Sequence, residues 1–99
     1  MDKLNKRVVL VTGATGGLGT AMCKKLFNEG FHVVGNYRDK NKAEIWQNNL
    51  LSEGYKIELY EADVTQFESV KQMIEKIETE IGPIDTLVNN AGTSPLQMV

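Results

Sequence analysis

Between an apolar run ending at Val11 and a segment with helical spacing lies Thr12-Gly13-Ala14-Thr15-Gly16-Gly17-Leu18-Gly19, a turn with glycine at four of its eight positions. Such a turn leading into a helix has the makings of a phosphate seat. Gly13 permits a tight exit from a strand, and Gly17 lets backbone approach a pyrophosphate with no Cβ in the way. Gly19 lets the helix pack closely, and the first-turn amides, through Thr15, Gly16 and Leu18, face an anion along the helix dipole. A merely flexible turn is the alternative. No Gly-Lys-Ser/Thr follows, so the spacing disfavours a nucleoside-triphosphate loop and favours a dinucleotide.

A second group of candidates sits where the next strand should end, at Gly35-Asn36-Tyr37-Arg38. Chains that bind NAD tend to place an acid there, against the ribose 2′-hydroxyl. Here no acid stands at that point. Arg38 is suited to pair bidentately with a 2′-phosphate, Asn36 to donate a hydrogen bond to it, and Tyr37 to lie beside them, which predicts NADP(H) as cofactor. The competing reading of Arg38 is a solvated surface arginine balanced by Asp39.

These groups must be positioned by alternating strands and helices. Residues 7–12 form a continuous β-branched run of the kind buried on both faces of a parallel sheet. Leu18, Met22 and Leu26, with Ala21 and Cys23, recur at helical spacing until Gly30. Residues 31–37 give a second strand. A second helix over 40–53 carries Ala43, Trp46 and Leu50 and ends at Gly54, with Trp46 expected as a packing residue. Residues 56–60 give a third strand, and Thr65-Gln66-Phe67-Glu68 has capping-box spacing. Val70, Met73, Ile74, Ile77 and Ile81 then form an apolar stripe, Gly82-Pro83 stops it, and 84–89 supplies a fourth strand, exposed as an edge. Strict alternation predicts an α/β fold: a Rossmann-like doubly wound parallel sheet in order 3-2-1-4, truncated after its fourth strand, as one partial domain over 1–99.

Composition excludes several functions. With 41% hydrophobic and 24% charged residues the chain has ordinary globular make-up, and a net charge of −2 lacks the basic excess that nucleic acid requires. No window approaches a membrane span and no signal segment precedes the first strand, so a cytoplasmic protein without membrane partners is expected. No metal-ligand cluster is expected. The lone Cys23 reads as a small core residue.

The glycine run resembles the TGxxxGxG signature of the short-chain dehydrogenase/reductase family, with its glycines at Gly13, Gly17 and Gly19. Asp63-Val64 resembles the family's Asp-Val pair beside the adenine ring, and Asn89-Asn90-Ala91-Gly92 resembles its NNAG motif. The resemblance thus adds Asp63, Val64, Asn90, Ala91 and Gly92 to the expected cofactor site. Simpler alternatives are a turn stabilised by Asp63 and a strand-terminating turn at Asn89. Within the family, Gly16-Gly17-Leu18-Gly19-Thr20-Ala21-Met22-Cys23, Gly30 to Val34 and Trp46 resemble acetoacetyl-CoA reductases. That implies NADPH-dependent reduction of a 3-oxoacyl thioester in a parent enzyme, expected as a homotetramer, with 3-oxoacyl-[acyl-carrier-protein] reductase as runner-up. A non-catalytic NADP(H)-binding fragment is the third possibility.

The family's catalytic serine, tyrosine and lysine have no match. Tyr37, Tyr55 and Tyr60 are followed four residues later by Asn41, Leu59 and Val64, so no YxxxK occurs and no catalytic residue is assigned. The family-like region runs over 7–92; residues 93–99, Thr93-Ser94-Pro95-Leu96-Gln97-Met98-Val99, depart from the pattern. A natural truncation, a frameshift or an incomplete gene would each produce this, and the 99 residues are expected to be catalytically silent alone.

Overall fold

A computed structural model describes residues 6–90. Among them, β1 (Val8–Val11), α1 (Gly17–Asn28), β2 (His32–Tyr37), α2 (Lys40–Ser52), β3 (Glu58–Glu61), α3 (Phe67–Glu80) and β4 (Thr86–Val88) alternate as the apolar pattern predicts. The strands form one parallel sheet in the order β3-β2-β1-β4, with Val9 opposite Val33 and Leu10 opposite both Val34 and Leu87. The two central strands are the most apolar; all four residues of β1 are buried. β3 and β4, at the edges, are half-buried or exposed.

Right-handed crossovers send α1 and α2 to one face, because both connections step the same way along the sheet, and send α3 to the other. The side chains of β1 alternate accordingly. Val9 and Val11 pack with Cys23 of α1 and with Trp46 and Leu50 of α2, whereas Val8 and Leu10 pack with Met73 and Ile77 of α3. Both α1 and α2 end in the same device. The amides of Phe31 and Tyr55 reach back to the carbonyls of Leu26 and Leu50, a closure that needs the left-handed backbone of Gly30 (φ 96°) and Gly54 (φ 97°).

Three expectations are corrected. Leu18 does not lie on the buried face of α1: it is 63% exposed, and Gly19 and Cys23 face the sheet instead. The core side of this helix begins with the residue that has no side chain. The capping box at Thr65 does not form. α3 starts at Phe67 after Gln66, and the Thr65 hydroxyl donates at 2.6 Å to Asp63 Oδ1, which also accepts the Thr65 amide at 3.0 Å. The Asp63 carboxylate ties both Thr65 donors into a turn ahead of the helix, so Gln66 rather than Thr65 takes the position before the first turn. The reach back from the first turn comes from Ser69, whose Oγ accepts the Asp63 amide at 2.9 Å. Finally, the outer strands are shorter than the sequence suggests. Ile57 is buried but precedes β3, and Asp85 precedes β4, where its carboxylate accepts the Val8 amide at 2.8 Å.

Candidate functional site

In a parallel sheet all carboxyl ends lie along one edge, and the order β2-β1-β4 makes that edge a switch point, with connections departing in opposite directions on either side of β1. The glycine turn leaves β1 there. Gly13 takes φ +63°, the left-handed backbone that the expected tight exit requires. At Gly19 a Cβ would stand 2.3 Å from Gly13 O and 2.8 Å from Ala14 O, so α1 approaches the turn through the absence of a side chain. Gly17 is different. It is exposed, and a Cβ there would meet nothing within 4 Å among the described residues.

The helix end beside Gly17 is left open. Gly16 is the residue before the first turn; among the described residues no side chain caps it, and no acid stands in that turn. Its first amides therefore keep their partial positive charge with no partner among the described residues, which is the arrangement that takes an anion. Leu18 projects beside it and Thr15 is half-buried in the turn.

The turn is held by its neighbours more than by itself. Asn36 of β2 is 2% exposed; its Oδ1 accepts the Gly13 amide at 3.1 Å, and its Nδ2 donates to Ala62 O at 3.0 Å. This corrects the reading of Asn36 as a donor to a 2′-phosphate. Both ends of the amide are committed inside the sheet, because a buried amide left without partners is costly. From β4's side, Asn90 Nδ2 donates to Gly13 O at 3.2 Å, and the Asn90 amide donates to Thr12 Oγ1 at 2.9 Å. Beneath, Ala14 rests on Gly35, where a Cβ would lie 2.7 Å from Ala14 Cβ.

At the ends of β2 and β3, Tyr37, Arg38, Ala62 and Asp63 line a cleft of about 900 Å³ that continues along β3 past Tyr60 to Glu80. Arg38 is 68% exposed, and its Nη2 lies 3.5 Å from Asp63 Oδ2. Its carboxylate partner is thus Asp63; Asp39 instead caps α2 by accepting the Lys42 amide. The Thr65 hydroxyl and amide, and then the Arg38 charge, hold Asp63 below its ordinary pKa. Val64 is half-buried next to it and does not line the cleft. Tyr60 Oη donates to Glu80 at 2.6 Å; burial and that carboxylate hold its phenol above the ordinary range, the opposite of what proton donation by a tyrosine needs.

The structure therefore brings Gly13, Thr15, Gly16, Gly17, Leu18, Gly19 and Asn90 together at one end of this edge and Tyr37, Arg38 and Asp63 at the other. Ala91 and Gly92 lie outside the described residues. Sequence reasoning missed Thr12, Gly35 and the hydrogen-bonding role of Trp46, since each acts through a neighbour distant in the chain. Among the described residues no group of His, Cys, Asp and Glu could hold a metal ion, and no helix is long and apolar enough to cross a membrane.

The short chain dehydrogenase family model matches residues 7–99. The chain belongs to that family. It is 44% identical over 90 residues to nodulation protein G of Azospirillum brasilense, and 41% identical over 88 residues to acetoacetyl-CoA reductase of Allochromatium vinosum. These alignments cover 90% and 87% of this chain but 37% and 36% of the relatives, so the chain spans little more than a third of their length. The crystal structure of an actinorhodin polyketide ketoreductase with NADPH superposes with a TM-score of 0.84 at 30% identity, covering 93% of this chain and 35% of that one. This short chain dehydrogenase domain thus shares both sequence and fold with its family.

Proposed function

We propose that the chain is the NADP(H)-binding part of a reductase of 3-oxoacyl thioesters, and that the complete protein converts acetoacetyl-CoA to 3-hydroxybutanoyl-CoA. One observation carries the nucleotide part: the uncapped end of α1, where Gly17 leaves open space for a ligand where a Cβ would stand. That cradle fits a pyrophosphate, and the exposed guanidinium of Arg38, on the same edge of the sheet, fits a 2′-phosphate. Asp63, which lines the cleft beside Arg38, fits the adenine end, and the exposed Leu18 lies at the opposite end of the edge, beside the glycine turn. The similarity to an acetoacetyl-CoA reductase and to a ketoreductase with NADPH supports the substrate class and the cofactor.

A bound nicotinamide would supply the hydride. The residues of this chain bind and orient: the Gly17 amide faces the anion, Arg38 selects the phosphorylated ribose, and Thr12, Asn36 and Asn90 keep the turn in shape. No tyrosine is followed by lysine at the fourth position, so these 99 residues alone are read as binding without turnover.

Thermal unfolding with NADPH and with NADH tests the reading. A ligand that binds only the folded form adds about 2.7 kcal/mol at a hundred times its dissociation constant. NADPH should raise the transition more than NADH, and Arg38→Asp should abolish the difference. Absence of any shift with NADPH would remove the nucleotide assignment; equal shifts with both would remove the NADP preference.

A further inference from the structure

Trp46 is the only tryptophan in the chain and is 9% exposed, packed with Val9, Val11, Ala14 and Cys23 under the glycine turn. Its indole Nε1–H donates to Thr20 Oγ1 at 2.8 Å, and the Thr20 hydroxyl donates to the Gly16 carbonyl at 2.6 Å. An indole N–H only donates and a carbonyl only accepts, so the direction of both bonds is fixed. The same carbonyl accepts the Thr20 amide at 2.8 Å. Gly16 is thereby held by two donors from one residue, and that residue is held from α2.

The Gly16–Gly17 peptide is planar, and in a trans peptide the N–H points opposite to the carbonyl. A carbonyl drawn toward α1 therefore leaves the Gly17 N–H aimed out of the helix end. Two consecutive glycines have no side chains to restrain that plane, and glycine gives up more backbone freedom on ordering than any other residue. Something else must hold it. We propose that Trp46 and Thr20 are positioning residues for the pyrophosphate of the dinucleotide, fixing the Gly17 amide through the Gly16 carbonyl. The inference rests on the nucleotide-binding reading above and adds to it a reason for Trp46, a residue on a different helix from the phosphate seat.

Nuclear magnetic resonance titration of the full chain tests it, with NADPH and with adenosine 2′-monophosphate, which has the 2′-phosphate and adenine but no pyrophosphate. Thr20→Val keeps the branched shape and removes the hydroxyl without touching the core; Trp46→Phe removes the donor; Thr20→Ser restores the hydroxyl. Loss of one such hydrogen bond corresponds to roughly 2- to 10-fold in affinity. Thr20→Val and Trp46→Phe should weaken NADPH by that factor and leave adenosine 2′-monophosphate unchanged, while Thr20→Ser binds NADPH as the parent chain does. The single indole N–H resonance should move in Thr20→Val. An unmoved indole resonance, unweakened NADPH binding by Thr20→Val, or an equal loss of both ligands overturns the proposal. Failure of the unsubstituted chain to bind NADPH overturns the nucleotide reading instead.

Discussion

One methyl group added at Gly17 and, separately, at Gly19 should produce opposite defects. A Cβ at Gly19 would sit 2.3 Å from Gly13 O, 2.8 Å from Ala14 O and 2.9 Å from Ala14 C, all backbone atoms of a turn tied to β2 and β4. None is the far end of a flexible side chain, so the helix or the turn must move. Overpacking of this kind costs about 1–3 kcal/mol, against about 0.5–1 kcal/mol gained by replacing glycine with alanine in a helix. At mid-range, about 2 kcal/mol against about 0.75 kcal/mol, Gly19→Ala should therefore lose about 1.25 kcal/mol net, lowering the melting temperature by roughly 5–10 °C in a domain of this size. At Gly17 a Cβ meets nothing within 4 Å, so Gly17→Ala should be as stable as the parent or slightly more so. Its new methyl instead occupies the space assigned to the pyrophosphate, and NADPH affinity should fall at least about tenfold, or about 1.4 kcal/mol. Urea denaturation and an NADPH titration on both variants separate the effects. A Gly19→Ala chain as stable as the parent would refute the close approach, and a Gly17→Ala chain that still binds NADPH normally would refute the assignment of the seat.

Asn36→Leu strands the Gly13 amide and the Ala62 carbonyl, and should cost about 1–3 kcal/mol for each group left without a partner, seen as a lower urea midpoint. Burial pushes the Cys23 thiol up to about 12, so a disulfide reagent at pH 8 should modify it only after unfolding; rapid labelling of the native chain would contradict its place in the core. Asp63 titrates below its ordinary value in the folded chain, so its contribution to stability is present above the carboxylate's unfolded pKa of about 3.9 and is lost as pH falls through the lower folded value. Asp63→Asn should consequently be less stable than the parent at pH 7, and the gap in urea midpoint should close toward pH 2; a gap that widens on acidification would contradict the sign.

The alternation of strands and helices was legible because it rests on signals that lie close together in the chain, such as the apolar runs at 8–11 and 33–34 and the glycines at 30 and 54. The positive φ of Gly13 followed from the same logic. What was not legible depended on partners far away. Leu18 was misplaced because hydropathy counts side chains, and the residue that defines the buried face of α1 at that point is a glycine. Thr65-Gln66-Phe67-Glu68 has the spacing of a cap, yet Asp63, from outside the motif, ties the Thr65 amide and hydroxyl into a turn of its own and the helix starts one residue later. Asn36 looked like a ligand because amides at a strand's end often are, and only the distances to Gly13 and Ala62 show it to be spent.

The manner in which the glycine turn is held bears on how binding and folding are linked. Within the turn itself, Gly16 N to Gly13 O at 3.3 Å is a long bond. The remaining restraints come from elsewhere: Asn36 from β2, Asn90 and Thr12 across to β4's end, Ala14 against Gly35, and Thr20 with Trp46 from the two helices. A seat assembled from three strands and two helices exists only when all of them are docked, so it adds little ordering cost when a ligand arrives. The same arrangement makes it fragile toward loss of an edge. β4 is three residues long and Leu87 is 58% exposed, yet Asn90 just beyond it supplies two of the bonds that shape the turn. Asn90→Ala should therefore weaken NADPH binding through Gly13 while changing the urea midpoint less than Asn36→Leu does, because Asn90 lies at the sheet's margin and Asn36 at its centre. Equal losses of stability in the two variants would show that the turn is held as one cooperative unit with the sheet.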